Sequence, residues 1–363
     1  MAKLKSVTVR GYKSIRALEN FELRDLNVLI GANGAGKSNF ISLFEMLAAI
    51  VERQLQIYVQ TRDGPDAFLF GTRKRTQQLD AEFYFDRNAY RVSLRPSSER
   101  LVFSREETWF HGDYKNDIAR PLGSGHEEAR IAEVSGSGDR MARDYVYPAI
   151  RSWRVYHFHD TSRLAAMRNP REVRDNLRLK DDAANLAPFL RMLNARHPTE
   201  YKRIEEAVRQ VAPFFGGFVH RESPGERVEL EWFEANDRDT PRSPRQFSDG
   251  TLRFICLATL LLQPRSLLPD TILIDEPELG LHPFALNVLG ELLRDASDRA
   301  QVIASTQSSD LLAQLEPEDV VVVDRAEGAS TFRRLDRPDL AGWLEDFSLS
   351  DLWKSNVIGG RPA

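Results

Sequence analysis

The run Gly31-Ala32-Asn33-Gly34-Ala35-Gly36-Lys37-Ser38 constrains this chain more than any other feature. It fits the pattern Gly-x4-Gly-Lys-Ser/Thr, in which glycines let successive backbone N–H groups curl round phosphate oxygens, the lysine neutralises them and the hydroxyl reaches a metal ion. Its flanks agree with that reading. Asp25 to Ile30 is a short apolar run of the kind that forms a buried parallel strand, and Asn39 to Val51 has helical spacing (Phe40, Leu43, Phe44, Leu47) with no breaker. A strand feeding a glycine-rich turn into a helix aims the helix N-terminus at an anion. The loop by itself implies a nucleoside triphosphate, not a particular enzyme family.

Three later segments narrow the choice. Thr271-Ile272-Leu273-Ile274-Asp275-Glu276 reads as a buried strand that delivers two carboxylates to its C-terminal edge, where open α/β sheets bind ligands. Asp275 is placed to hold magnesium and Glu276 to orient or deprotonate water. Phe247-Ser248-Asp249-Gly250-Thr251-Leu252-Arg253-Phe254 opens a helix with Ser248 as N-cap, so its first N–H groups form a positive pole. Gln301 to Ser308 is a further apolar strand with a polar end, and Thr306 lies 31 residues beyond Asp275, enough for a crossover helix. Thr306 and Gln307 are candidates to sense the terminal phosphate. His282, before Pro283, reads equally as a residue reaching across an interface or as a structural loop residue.

The rest of the chain is read more coarsely. Leu4, Val7 and Val9 suggest a first strand and Asn20 to Leu23 a second; Gln60 to Arg75 is loop-like. From Leu79 to Glu107 the pattern alternates as strands do, with a hairpin turn at Asp86-Arg87-Asn88, and His111 to Gly138 reads as a mobile polar surface insertion. Val155 to Phe158 reads as a strand. Asn185 to Phe215 is mainly helical, with Tyr201, Ile204, Val208 and Val211 on one face, and Asp237-Arg238-Asp239 reads as a loop. The divisions expected are 1–110 (an ATPase lobe with the phosphate loop and a β subdomain), 111–240 (an inserted helical and loop region) and 241–363 (a second lobe with the signature helix, acidic strand and switch).

Composition excludes several alternatives. The single cysteine, Cys256, lies in an apolar run and reads as a buried core thiol, so neither a disulfide framework nor a cysteine metal site is available. No secretory signal is visible, and the longest apolar stretch is too short to span a bilayer, so a cytoplasmic protein is expected. A net charge of -4 gives no global nucleic-acid signal. Met1 to Arg16 nevertheless carries five basic residues and no acid, and residues 140–180 carry ten against four acids, a patch that reads equally as a solvated, ion-paired face.

The order of phosphate loop, Ser-Asp-Gly helix and acidic strand resembles the ABC-type ATPases of the SMC/RecF/OLD group, especially compact single-chain members of bacterial defence and DNA-repair loci. The likeness covers Lys3 to Phe44 and Arg245 to Arg325 and includes Val9-Arg10-Gly11-Tyr12-Lys13-Ser14-Ile15. It implies an α/β P-loop NTPase fold of ABC-ATPase head type, with a mixed core sheet, an antiparallel β subdomain and an inserted helical lobe. It also implies ATP and Mg²⁺ as ligands. Gly31, Asn33, Gly34, Ala35, Gly36, Lys37, Ser38, Asn39, Ser248 and Gly250 would bind nucleotide. Ser38 and Asp275 would hold the metal, and Glu276, Gln307 and Lys37 would act in catalysis. Two heads would join head to tail around two ATP molecules, Ser248 of one facing Lys37 of the other.

The departures matter as much. Gln307 stands where many relatives have histidine, and glutamine cannot relay a proton as imidazole does. The family's further loop glutamine is not assignable, Gln60 being one candidate among several. The 210 residues from Ser38 to Ser248 are too few for long coiled-coil arms, and the 56 after Gln307 too few for a TOPRIM nuclease domain. The tail Leu349 to Lys354 resembles tails of small ATPases encoded beside a separate effector, with Trp343 and Trp353 as candidate core seals. Three functions are therefore carried forward. One is an ATPase that gates a DNA-repair or anti-phage effector, with DNA as a further partner. Another is a slow ATP-dependent scaffold for a nuclease or toxin. The last, a transporter's nucleotide-binding subunit, fits poorly with the long insertion and the Ser-Asp-Gly signature.

Overall fold

The computed structural model describes residues 3–111, 118–134, 142–221 and 225–360. Two six-stranded sheets organise it. The first is antiparallel, in the order Ile15–Glu22, Ser6–Tyr12, Leu79–Phe85, Asn88–Ser97, Arg100–Phe110, Ile118–Gly123. The second runs Ala329–Arg334, Val320–Ala326, Leu26–Ile30, Gln301–Thr306, Thr271–Asp275, Arg154–Tyr156, parallel from Val320–Ala326 to the outer strand Arg154–Tyr156.

Strand alternation explains why one sheet serves two cores. Successive side chains point to opposite faces. Leu26, Val28, Ile30, Ile272, Ile274, Val302 and Ala304 face one cluster, while Leu29, Leu273 and Ile303 face the other. The helix Lys37–Val51 fills the second cluster, between the two sheets, and is buried on most of its circumference. Phe44 packs on Phe83 and Trp153, with ring centroids 6.4 and 5.3 Å away. A helix wedged between sheets needs this all-round apolarity, and its first turn is thereby fixed under the phosphate loop. On the opposite face, Leu186–Arg196 and Pro198–Val211 cover the helices Asp249–Leu262 and Pro283–Ser297.

Several expectations need correction. The second strand is longer than Asn20 to Leu23, spanning Ile15–Glu22, because the Lys13-Ser14 turn starts it early. The loop-like stretch from Gln60 follows a short helix, Leu55–Gln60, unread in the sequence, whose first N–H groups are received by the Glu128 carboxylate at 3.0 Å. That long-range cap is invisible locally. Within the stretch read as a mobile insertion, Ile118–Gly123 is a strand paired to Arg100–Phe110, and 112–117 and 135–138 lie outside the described residues. Asp237-Arg238-Asp239 is no loop but the start of a hairpin strand, Asp237–Arg242, paired with Glu231–Glu234. Trp343 is 47% exposed and seals nothing, whereas Trp353 packs partly buried against the core. Tyr201, Ile204 and Val208 are buried as expected, and Val211 partly so. Cys256 is a buried free thiol, pushed up in pKa by burial. Among the described residues no helix is long and apolar enough to cross a membrane.

Candidate nucleotide site

The phosphate loop leaves strand Leu26–Ile30 at the C-terminal edge of the core sheet, and its glycines are required by close approach. A Cβ on Gly31 would collide with the Val323 carbonyl; one on Gly36, at φ +118°, would strike the hydroxyls of Ser330 and Ser14. Those hydroxyls brace the loop from behind. The Ser330 hydroxyl donates to the Ala35 carbonyl and is hydrogen-bonded to the Ser14 hydroxyl, and Asn39 Nδ2 donates to Ser14 Oγ at 2.7 Å. Asn39 thus engages the Ser14 turn. Asn33 and Gly34 are exposed at the loop tip, with open space beside Gly34. Lys37 is 4% exposed and folds back so that Nζ donates to the carbonyls of Gly31 (2.6 Å) and Ala32 (3.0 Å). Burial holds its pKa below the usual lysine value, opposed by the charges of Glu276, Glu278 and Asp275.

Those three acids come from the neighbouring edge. Thr271–Asp275 and Gln301–Thr306 lie parallel, pairing Asp275 with Ser305. Ser305 Oγ donates to Asp275 Oδ1, and Ser38 Oγ stands 3.5 Å from the same oxygen. Glu276 follows with φ +46°, a left-handed conformation that costs a non-glycine residue energy and is held here by its N–H bond to the Ser305 carbonyl. Gln307 Nε2 donates to Glu276 Oε1, while the Gln307 N–H is received by Glu278 Oε1 at 2.6 Å. Burial raises the Glu278 pKa, and among the described residues its Oε2 is buried without a hydrogen-bond partner. Thr306 is fully buried, its hydroxyl accepting the Ser308 N–H and bonded to the Glu278 carboxylate.

This donor set fits a magnesium ion. Magnesium takes few protein ligands and keeps several waters. A hydroxyl and a carboxylate oxygen 3.5 Å apart at a phosphate loop suit it. Among the described residues no cluster of three or more His, Cys, Asp or Glu exists that would hold a metal on its own.

The signature helix is built differently. Ser248 caps Asp249–Leu262, its Oγ accepting the Thr251 N–H at 3.1 Å. Its side-chain hydrogen bonds are local, to Thr251, and it is exposed. Gly250 lies so close to the Gly280 carbonyl that a Cβ would clash. His282 is exposed and caps the helix Pro283–Ser297, with Nδ1 accepting the Phe284 N–H at 3.2 Å. Gln60 is exposed at the end of Leu55–Gln60.

The histidine pair and Arg168 escaped sequence reasoning, and Arg253 stood out there only as a family-like residue of the signature helix. Strand Arg154–Tyr156 lies beside Thr271–Asp275, so His157 and His159 emerge next to the carboxylates. The His159 pKa is lowered, chiefly by burial and against the pull of Asp275 and Glu276. That of His157 is raised, chiefly by its hydrogen bond to Glu45 Oε1 at 2.9 Å. Arg253 clamps this loop: Nε donates to the Phe158 carbonyl and Nη2 to the His159 carbonyl, both at 2.8 Å, and Nη1 to that of Leu279. Arg168, 3% exposed, donates to carbonyls of Thr161, Pro244 and Phe247 and to Asp249. The His-Phe-His spacing after a β-prone run was the one available signal.

Residues 26–313 match the protein family described as "AAA domain, putative AbiEii toxin, Type IV TA system". The chain belongs to that family. This AAA-domain chain is also 24% identical over 326 residues to the OLD nuclease of Thermus scotoductus, a match covering 82% of the chain but only 58% of the nuclease. Among solved structures it resembles an Smc head bound to the C-terminal winged-helix domain of ScpA (TM-score 0.58, 15% identity, 94% of this chain and 99% of that one). It also resembles the Smc head with an extended coiled coil bound to the C-terminal domain of ScpA from Pyrococcus furiosus (TM-score 0.56, 12% identity, 95% and 99%). The AAA-domain chain is therefore a P-loop ATPase domain of the SMC/RecF/OLD-like, ABC-type group, with the mixed and antiparallel sheets of that fold.

Proposed function

We propose that the chain binds ATP with magnesium at the edge shared by Gly31–Ser38 and Asp275–Glu276, closes head to tail with a second copy, and uses hydrolysis to reopen. The observation that carries this reading is the contrast between an inward-looking phosphate site and an exposed, capped helix pole at Ser248 with only local bonds. Leu279 (45% exposed), Phe284 (51%) and His282 supply further surface beside that helix for a partner head.

The chemistry follows from the residues. The backbone N–H groups of the loop and Lys37 would receive the phosphates, Lys37 leaving the Gly31 and Ala32 carbonyls to do so. Ser38 and Asp275 would hold magnesium, which when bound offsets charge on the phosphate oxygens. Glu276 would orient the attacking water. Its hydrogen bond from Gln307 ties that carboxylate to the strand end, so a change at the terminal phosphate would be felt by both. Ser248 of the partner head would complete the site.

The kinship to a protein named OLD nuclease supports an effector of nuclease type, controlled by the closed dimer in defence or DNA repair. A second reading, a slow scaffold in which hydrolysis only resets assembly, is favoured by Gln307, which replaces a titratable group with an amide. One experiment tests the core proposal. The mass of wild type and Glu276→Gln is measured in solution with and without ATP and Mg²⁺, alongside phosphate release. A dimer of the variant with ATP, abolished by Ser248→Arg, supports head-to-tail closure. Constant mass with unchanged turnover in Glu276→Gln overturns it. A turnover number far below one per second would favour the scaffold.

A further inference from the structure

The outer strand of the core sheet, Arg154–Tyr156, pairs on one side only. Beside it opens a cavity of about 470 Å³ lined by Tyr147, Arg151, Arg154, Arg178, Leu267 and Leu268 among others, with no carboxylate in its wall among the described residues. Asp270 lies just outside and is engaged by Ser152. Arg151, Arg154 and Arg178 form no ion pair among the described residues. Arg154 Nη1 is directed at the carbonyls of Arg151 and Trp153, and Arg151 lies over the Tyr147 ring at 5.8 Å. Many other surface arginines are paired, as Arg10 is with Glu19, Arg221 with Glu231 and Arg299 with Asp295. Here the like charges of Arg154 and Arg178 face each other, and burial together with Arg178 holds the Arg154 pKa down.

The same pair, Arg154 and Arg178, lines a second cavity of about 430 Å³ to which Arg62 and Lys180 add charge, with Glu45, Glu52 and Asp181 as its acids. The two arginines thus form a ridge between adjoining clefts, a layout for several successive phosphates rather than one. The floor is apolar (Leu267, Leu268 and Pro269), Tyr147 offers a ring, and Leu177 stands 84% exposed next to Arg178. Cationic side chains along a groove with ring and aliphatic faces beside them suit a backbone whose bases are free to stack. A duplex keeps its bases paired and stacked on one another and offers none of them to such a floor.

We propose that the Arg151–Arg154–Arg178 cleft is a binding site for single-stranded nucleic acid. It goes beyond the ATP-driven dimer described above and does not depend on it. The site is joined to the nucleotide edge, because Arg154–Tyr156 runs straight into the His157–His159 loop that Arg253 clamps.

The test uses the full chain and a fluorescent thymidine oligonucleotide of about twenty residues, read by anisotropy across a salt series. Three phosphate contacts on a single strand predict a log–log salt slope near -2, at about -0.7 per contact. Arg151→Glu with Arg178→Glu, both at exposed positions outside the nucleotide site, is expected to weaken binding at least tenfold and to flatten the slope by about 1.4. Arg221→Glu, in a paired surface position, should leave both unchanged. Thermal melting checks that the variants fold, and Arg178→Gln alone, expected to flatten the slope by about 0.7, serves if the double variant does not. Unaltered binding in the variants, no binding by wild type at low salt, or preference for duplex over single strand each overturns the proposal.

Discussion

The phosphate-loop edge and the signature helix are both helix N-termini presented to solvent, yet they are held in opposite ways. At the loop, contacts converge: Lys37, Ser38, Asp275, Glu276, Ser305 and Gln307 come from three adjacent parallel strands and lie within one connected cluster of hydrogen bonds and charges. At the signature helix every firm contact points backward. Arg253 holds three carbonyls, Arg168 holds Asp249, and Gly250 presses on Gly280, while Ser248 makes only its own cap. A site built inward can bind alone. A pole braced from behind and bare in front is shaped to complete something else.

Breaking the inward half should cost most. Lys37→Ala is expected to lower kcat/KM for ATP by roughly a thousandfold, since a buried charge aimed at the phosphates is lost; a titration with labelled ATP shows whether binding falls with it. Glu276→Gln should slow phosphate release by roughly a hundredfold or more while ATP is still retained, because Asp275 is untouched. Equal loss of binding and turnover would instead make Glu276 a structural residue. Ser248→Arg sharpens the comparison: ATP binding per chain should be unchanged, with turnover down by about tenfold or more as the second copy is excluded. If binding itself fell, the two regions would not be separable.

Smaller effects probe the braces. Arg253→Met leaves three carbonyls without their donor and should cost about 2 kcal/mol of stability by denaturant unfolding, with a few-fold drop in turnover. The His157–Glu45 pair joins the two halves, and its pH dependence has a defined sign. His157 is raised in the folded chain, so its contribution is fully present below the ordinary imidazole value and fades as pH rises through the elevated one. Glu45 is lowered, chiefly by that hydrogen bond, against burial, so its contribution holds above the ordinary carboxylate value and is lost as pH falls through the depressed one. Wild type should therefore lose part of its melting-temperature advantage over His157→Gln on going from mildly acidic to alkaline pH, a small change because His157 is partly exposed.

Much of this was legible from residues alone wherever the signal is local. The loop glycines, the buried strand before them, the apolar helix after them and the Ser248 cap are all written in contiguous segments, and each is found where the pattern puts it. The misreadings have a common cause. Ile118–Gly123 and Asp237–Arg242 are largely exposed strands stabilised by pairing to a neighbour, so their own residues carry no buried/exposed alternation. Leu55–Gln60, unread in the sequence, begins where Glu128 caps it from 72 and 73 residues away.

The chain by itself determined the chemistry: a phosphate-binding turn, two carboxylates at a strand end and a capped helix pole, because bond geometry and periodicity act over a few residues. Only the tertiary structure decided the neighbours. It set His157 against Glu45 across 112 residues, laid Arg253 over the carbonyls of Phe158 and His159, and set the like charges of Arg154 and Arg178 against each other. Those contacts follow from the order in which strands enter the sheet, which is settled by packing two cores at once and not by any local run of residues.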